Sequence, residues 1–152
     1  MEVLCGRAED LPAWMALVRR VAYNFPGLET EEALQEHART VARFLSEGRG
    51  LCAMDAEGLA GVLLFSLHHR MICFLAVAPE RRRQGVGSAL LREALSRLGT
   101  GGPITVTTFR AEDPWGAAPR ALYQRFGFMP EELVEENGYP CQRFVRAAES
   151  LD

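Results

Sequence analysis

The segment Arg81-Arg82-Arg83-Gln84-Gly85-Val86-Gly87-Ser88 places three cations and two glycines just ahead of a helical pattern. Glycine removes the side chain where a backbone must come close to a ligand. The first turn of a helix adds amides without intrahelical partners and the positive end of the helix dipole. Cations, bare backbone and free amides gathered at one point suit phosphate oxygens, and a pyrophosphate above all. A solvated basic loop around a tight glycine turn would have the same composition, so this stretch taken alone leaves both readings open.

Two common phosphate-binding motifs do not fit this stretch. A dinucleotide-binding turn needs a third glycine where this chain has Leu90, and no acidic residue stands at the ribose position further on. The phosphate loop of NTPases needs a lysine, and all 17 basic residues are arginine. The same absence removes Schiff-base chemistry.

The remaining reactive groups are dispersed. His37 falls on a helix, and His68 and His69 in a tight connection. Glu131, Glu132, Glu135 and Glu136 surround the last loop, where they would either attract a cationic amine or face solvent. No general base emerges from these groups. Cys5, Cys52, Cys73 and Cys141 form no C-x-x-C pair, and buried free thiols are expected rather than disulfides or a metal site.

A chain of 152 residues with 48% hydrophobic and 24% charged residues suits one soluble domain over residues 1–152. A net charge of −3 argues against a general nucleic-acid binder. The longest apolar runs, Val62–Phe65 and Met71–Ala78, are too short to span a bilayer. The N-terminus lacks the basic flank and apolar core of a signal peptide, so a cytoplasmic protein without a membrane partner is expected.

The elements that must position the basic turn follow from periodicity and punctuation. A short strand at Glu2–Gly6 precedes a helix capped by Asp10, with Leu11, Trp14, Met15, Val18, Val21 and Ala22 on one face. Thr30 caps a second helix, closed by Gly48, whose face is Leu34, Ala38, Val41, Phe44 and Leu45. Leu51–Met54, Leu59–Leu67 and Met71–Val77 read as an antiparallel meander, and the near-continuous apolar runs predict cover on both sheet faces. A helix through Leu90, Leu91, Ala94, Leu95 and Leu98 follows, then a strand at Ile104–Phe109 and a polar loop at Arg110–Gly116. A short helix at Pro119–Phe126 ends at Gly127, and strands at Phe128–Leu133 and Cys141–Val145 flank an acidic loop, Val134–Pro140.

Arg82-x-x-Gly85-x-Gly87 matches the Gln/Arg-x-x-Gly-x-Gly/Ala motif of the GNAT superfamily of acetyl-CoA-dependent N-acetyltransferases. Leu75-Ala76-Val77-Ala78-Pro79 resembles that family's "leu-ala-val-x-pro" strand end, and Leu122-Tyr123 with Gly127-Phe128 its "leu-tyr-x-x-x-gly-phe" segment. The resemblance covers order and spacing from about Gly61 to Phe128. It implies a mixed, mostly antiparallel α/β sheet of six to seven strands, splayed after the fourth and flanked by about four helices. Acetyl-CoA would lie in the splay as co-substrate, with no metal. Its pantetheine arm would pair with backbone near Leu75, Ala76 and Val77, and its pyrophosphate with amides of Arg83, Gln84, Gly85, Val86, Gly87 and Ser88, assisted by Arg82 and Arg83.

The resemblance also assigns roles. The amide near Leu75 would hold the developing carbonyl oxygen charge. Tyr123 would protonate the departing thiolate, although a tyrosine at the end of an apolar helix face can equally pack its ring with the hydroxyl at the rim. Gly116 replaces the family's usual asparagine, Pro119 its usual alanine, and Ala111–Trp115 is added length. Trp115 either lines the acceptor pocket or plugs the loop against the core. The acceptor expected is a small-molecule amine or a peptide. The competing readings are an inactive acyl-CoA-binding sensor and a nucleotide-binding regulator. Phe144 and Val145, on a terminal strand, suggest a possible homodimer edge.

Overall fold

The computed structural model describes residues 1–149. Among the described residues there are seven strands: β1 (Glu2–Cys5), β2 (Gly50–Asp55), β3 (Gly58–Ser66), β4 (Met71–Val77), β5 (Ile104–Phe109), β6 (Met129–Glu136) and β7 (Tyr139–Arg146). The α-helices are α1 (Leu11–Val21), α2 (Glu31–Ser46), α3 (Val86–Leu98) and α4 (Ala117–Arg125). The strands form one sheet in the order β1-β2-β3-β4-β5-β7-β6, antiparallel at every pairing except β4 with β5. This is the mixed architecture expected.

Both sheet faces are covered. Trp14, Val18, Val41 and Leu45 of α1 and α2 pack with Val62, Leu64 and Ala76 on one face. Leu90, Leu91, Ala94 and Leu98 of α3 pack with Leu63, Phe65 and Phe144 on the other, joined by Tyr123 of α4. Gly61 of β3 lets α3 come close, since a Cβ there would lie 2.7 Å from Val86 Cγ1.

Local chemistry sets the element ends. Thr30 caps α2 as expected, its Oγ1 accepting the Ala33 amide at 3.1 Å. Asp10 does not cap α1. Its carboxylate accepts the Arg7 amide at 2.7 Å, and Pro12 in the first turn has no N–H to be capped. The expected acidic loop Val134–Pro140 is mostly strand. Asn137 and Gly138, with φ of 51° and 76°, make a two-residue hairpin turn of the kind Asn-Gly favours, so β6 and β7 run to its edge.

Two further expectations are corrected. β7 lies between β5 and β6, so Phe144 is fully buried and neither it nor Val145 stands on a free edge. Of the four free cysteines only Cys52 is buried, and burial pushes its thiol up to about 12.

Candidate active site

β4 is paired with β3 along its length but with β5 only at Met71↔Thr105 and Ile72↔Val106. The cause is a bulge. Against β3 the register passes from Phe74↔Leu64 to Ile72↔Phe65, which leaves Cys73 as an extra residue. A bulge bends its strand and ends regular pairing. Beyond it β4 and β5 diverge around a cleft of about 950 Å³. The amide of Ala78 donates to Ala60 on β3 at 2.8 Å. Backbone groups alternate along a strand, so Leu75 and Val77 turn their N–H and C=O to the open side.

The basic turn stands at one mouth of this cleft, which Arg82, Arg83, Gly85, Val86, Gly87 and Ser88 line together with Leu75, Ala76, Val77 and Tyr123. Gln84 alone of the expected residues faces elsewhere, its side chain donating to the Glu80 carbonyl at 3.2 Å. Arg83 and Gly85 both have positive φ, 64° and 81°. The first helical amide with a backbone acceptor is that of Ala89, which donates to the Gly85 carbonyl at 3.0 Å. The amides of Val86, Gly87 and Ser88 therefore open on the cleft. At Gly87 a Cβ would meet Leu122 Cδ2 at 3.2 Å, so a side chain would fill the gap between the α3 turn and α4.

The three arginines are not equivalent. Arg81 is 8% exposed and engaged in structure. Its Nε and Nη2 donate to Asp55 at 2.8 and 3.0 Å, its Nη1 to Glu80 at 3.0 Å, and Glu57 lies 3.1 Å away. Glu80 is bound in turn by Arg20 of α1, and these cations hold its carboxyl down to about 2. This network ties the β2–β3 hairpin and α1 to the start of the turn. Arg82 and Arg83 are exposed and have no carboxylate partner among the described residues. The reserve of cationic charge is therefore theirs, and Arg125 of α4, also lining the cleft, adds a cation that the sequence did not single out.

Tyr123 is 6% exposed and packs edge-on to Phe128 at 5.7 Å. Burial raises its pKa, which keeps the hydroxyl protonated. That hydroxyl has no protein partner yet is not sealed off, so it opens on the cleft. Arg120 fixes α4 by donating to the Phe109 carbonyl at 2.9 Å and to Gln142 at 2.8 Å. Gly116 precedes α4, and a Cβ there would lie 2.9 Å from Phe109 Cβ, which leaves no room for asparagine.

The opposite end of the cleft holds residues that no motif flagged: Asn24, Phe25, His37 and Glu136. They come from the α1–α2 segment, α2 and the end of β6, and only the fold brings them together. His68 and His69 meet edge-on at the β3–β4 turn and do not line the cleft. Cys73 does; the residue is exposed, but the atoms crowded around its thiol desolvate it and push it up to about 11, with Glu136 adding to the effect. Trp115 is 49% exposed and packs edge-on against Tyr23 at 5.9 Å, so it lines the cleft rather than plugging the core.

A mixed sheet opened at its parallel pair, with a basic glycine-bearing helix start at the opening, defines an acyltransferase-type α/β fold. Residues 46–130, more than half of the chain, match the family model described as "Acetyltransferase (GNAT) domain". The protein belongs to the GNAT acetyltransferase family. Solved structures agree on the fold. A GNAT-family acetyltransferase from Bacillus cereus superposes with a TM-score of 0.75 at 19% identity, over 98% of both chains. The ribosomal-protein-alanine N-acetyltransferase of Brucella melitensis gives 0.74 at 17% identity, over 97% of this chain and 99% of that one. PaiA N-acetyltransferase of Thermoplasma acidophilum, solved in complex with coenzyme A, gives 0.70 at 16% identity, over 96% and 98%. No curated protein matches the chain in sequence. No helix among the described residues is long and apolar enough to cross a membrane.

Proposed function

We propose that the protein is an acetyl-CoA-dependent N-acetyltransferase that moves an acetyl or other short acyl group to a primary amine by direct attack. The observation that carries this reading is the departure of β4 from β5 at the Cys73 bulge, beside a helix start with free amides and unpaired arginines. The residues suit acetyl-CoA as co-substrate. Arg82, Arg83 and Arg125 offer charge for phosphates, the α3 amides offer hydrogen bonds, and the bare Gly87 leaves space. Leu75 and Val77 offer unpaired backbone groups for an extended amide-bearing arm.

In this reaction the amine nitrogen bonds to the thioester carbonyl carbon and the carbon–sulfur bond breaks. The Leu75 amide stabilises the carbonyl oxygen as charge develops. Tyr123 gives its proton to the leaving sulfur and regains one released by the amine nitrogen, with water as carrier. From the neutral amine the net products are the amide and the CoA thiol; an amine that arrives as ammonium first gives up one further proton to water. Cys73, held as a neutral thiol, takes no part.

A thermal-unfolding scan with acetyl-CoA, desulfo-CoA, ATP and NAD tests the cofactor. A ligand at about a hundred times its Kd adds ~2.7 kcal/mol. For a domain of this size the midpoint rises by about 5–10 °C. A rise with the CoA compounds alone supports the reading, and an equal rise with ATP or NAD turns it toward a nucleotide-binding regulator. A CoA-specific rise without acetyl transfer to any amine would instead make the protein an acyl-CoA sensor.

A further inference from the structure

The end of the cleft away from the α3 turn has its own chemistry. Three rings meet there: Phe25 and His37 each pack at a tilt on Phe74, ring centres 4.7 Å apart, and Phe74 is the first residue of β4 beyond the bulge. Phe74 turns toward α1 and α2, so this wall belongs to the sheet face opposite α3. Within the same wall the Oδ1 of Asn24 and the Nε2 of His37 are sealed from solvent without a hydrogen-bond partner.

Charge divides the cleft along its length. Cations line the α3 mouth, whereas Glu136 is the sole carboxylate among the described lining residues. It is exposed, ends β6, and has no ion-pair partner among the described residues, unlike Glu132, which is bound by Arg143. Its field reaches Cys73 at the bulge, which sets it near the point where β4 opens.

Size is limited by two bridges over this end. Tyr23 meets Trp115 edge-on at 5.9 Å, and a Cβ on Gly27 would come within 3.0 Å of Asn137 Nδ2. The α1–α2 segment thus touches the β5–α4 loop on one side and the β6–β7 turn on the other. A slender molecule passes between such bridges more readily than a folded protein surface.

The geometry points to a small primary amine, charged as ammonium and carrying a flat apolar body, as the acyl acceptor. Glu136 holds the ammonium before it is deprotonated, and the Phe25–Phe74–His37 wall holds the body. This selectivity rests on the acetyl-transfer reading above.

The test is steady-state transfer from saturating acetyl-CoA to 2-phenylethylamine, ethylamine, spermidine and an alanine-leading tetrapeptide. The expected result is a kcat/KM for 2-phenylethylamine about tenfold or more above the others, the scale of burying one apolar ring. Glu136→Gln should raise its KM about tenfold, the loss of one charged hydrogen bond, while kcat and the acetyl-CoA KM stay nearly unchanged. Tryptophan fluorescence gives a readout without turnover, since Trp115 lines the cleft while Trp14 is fully buried in the core. 2-Phenylethylamine should perturb it in the CoA complex, with weaker binding in Glu136→Gln. A preference for the peptide or spermidine, or a KM that Glu136→Gln does not move, overturns this selectivity while acetyl transfer stands. Failure of acetyl-CoA to raise the unfolding midpoint overturns both.

Discussion

Ile72 and Phe74 stand two positions apart on β4, yet Ile72 packs on the α3 face of the sheet and Phe74 on the α1–α2 face. Side chains two apart on a regular strand share a face. The bulge at Cys73 reverses that parity, and the reversal aims Leu75 and Val77 at α3 while opening the strand from β5. Cleft, free amides and aromatic wall thus share one local origin.

Cys73 marks that point by its backbone and not by its thiol. With the thiol pushed up to about 11, little thiolate exists near neutrality. Cys73→Ala leaves the backbone bulge in place and removes only a neutral thiol, so it should keep kcat within about twofold. Two-substrate kinetics should give intersecting lines. An acetyl group found on Cys73 by mass spectrometry, or parallel lines, would replace direct transfer with a covalent route.

In the proposed mechanism Tyr123 is the acid, and its hydroxyl is held protonated by burial beside the cleft. Tyr123→Phe keeps the ring and its packing on Phe128 while removing only the proton. Turnover at saturating acetyl-CoA should fall by about 10²–10⁴-fold with cofactor affinity nearly intact. Unchanged turnover would remove Tyr123 from the mechanism.

What the sequence made legible was what lies close together along the chain. The Arg82–Ser88 turn and the Leu122–Tyr123 pair carry their chemistry within a few residues, and both border the cleft. Arg81 looked like a third free cation because its claimants, Asp55 and Glu57, lie far off in a hairpin. The bulge stayed hidden because β4 is apolar on both faces, so no polar alternation revealed a change of parity. Asn24, His37 and Glu136 meet only across the sheet opening. The Asn137-Gly138 turn was readable in principle, but the surrounding glutamates made the segment look like a solvated loop.

Gly61 sets how closely β3 packs under the start of α3. A Cβ there would press on Val86 Cγ1 at 2.7 Å, Leu90 Cδ1 at 3.0 Å and the Ala76 carbonyl at 3.1 Å. Gly61→Ala should therefore cost about 1–3 kcal/mol, as overpacking does. That lowers the unfolding midpoint by roughly 2–12 °C. Because Val86 belongs to the α3 turn, acetyl-CoA affinity should fall as well. Gly101→Ala, where a Cβ meets nothing, is the control and should move the midpoint little.

His37 predicts how stability depends on pH. Burial against Phe74 disfavours the charged imidazole and lowers its pKa in the folded protein. In the unfolded chain the value is about 6.5. Below that pH the unfolded state binds a proton that the folded state still resists, so stability drains away as pH falls toward the folded value. Above it the contribution is fully present. His37→Gln removes this site and leaves His68 and His69 in place. Midpoints measured between about pH 8 and pH 5 should fall less steeply in the variant than in the parent, since one acid-sensitive group is gone. Parallel curves would mean that His37 takes up its proton as readily folded as unfolded. Its imidazole would then be open to water rather than held neutral in the aromatic wall.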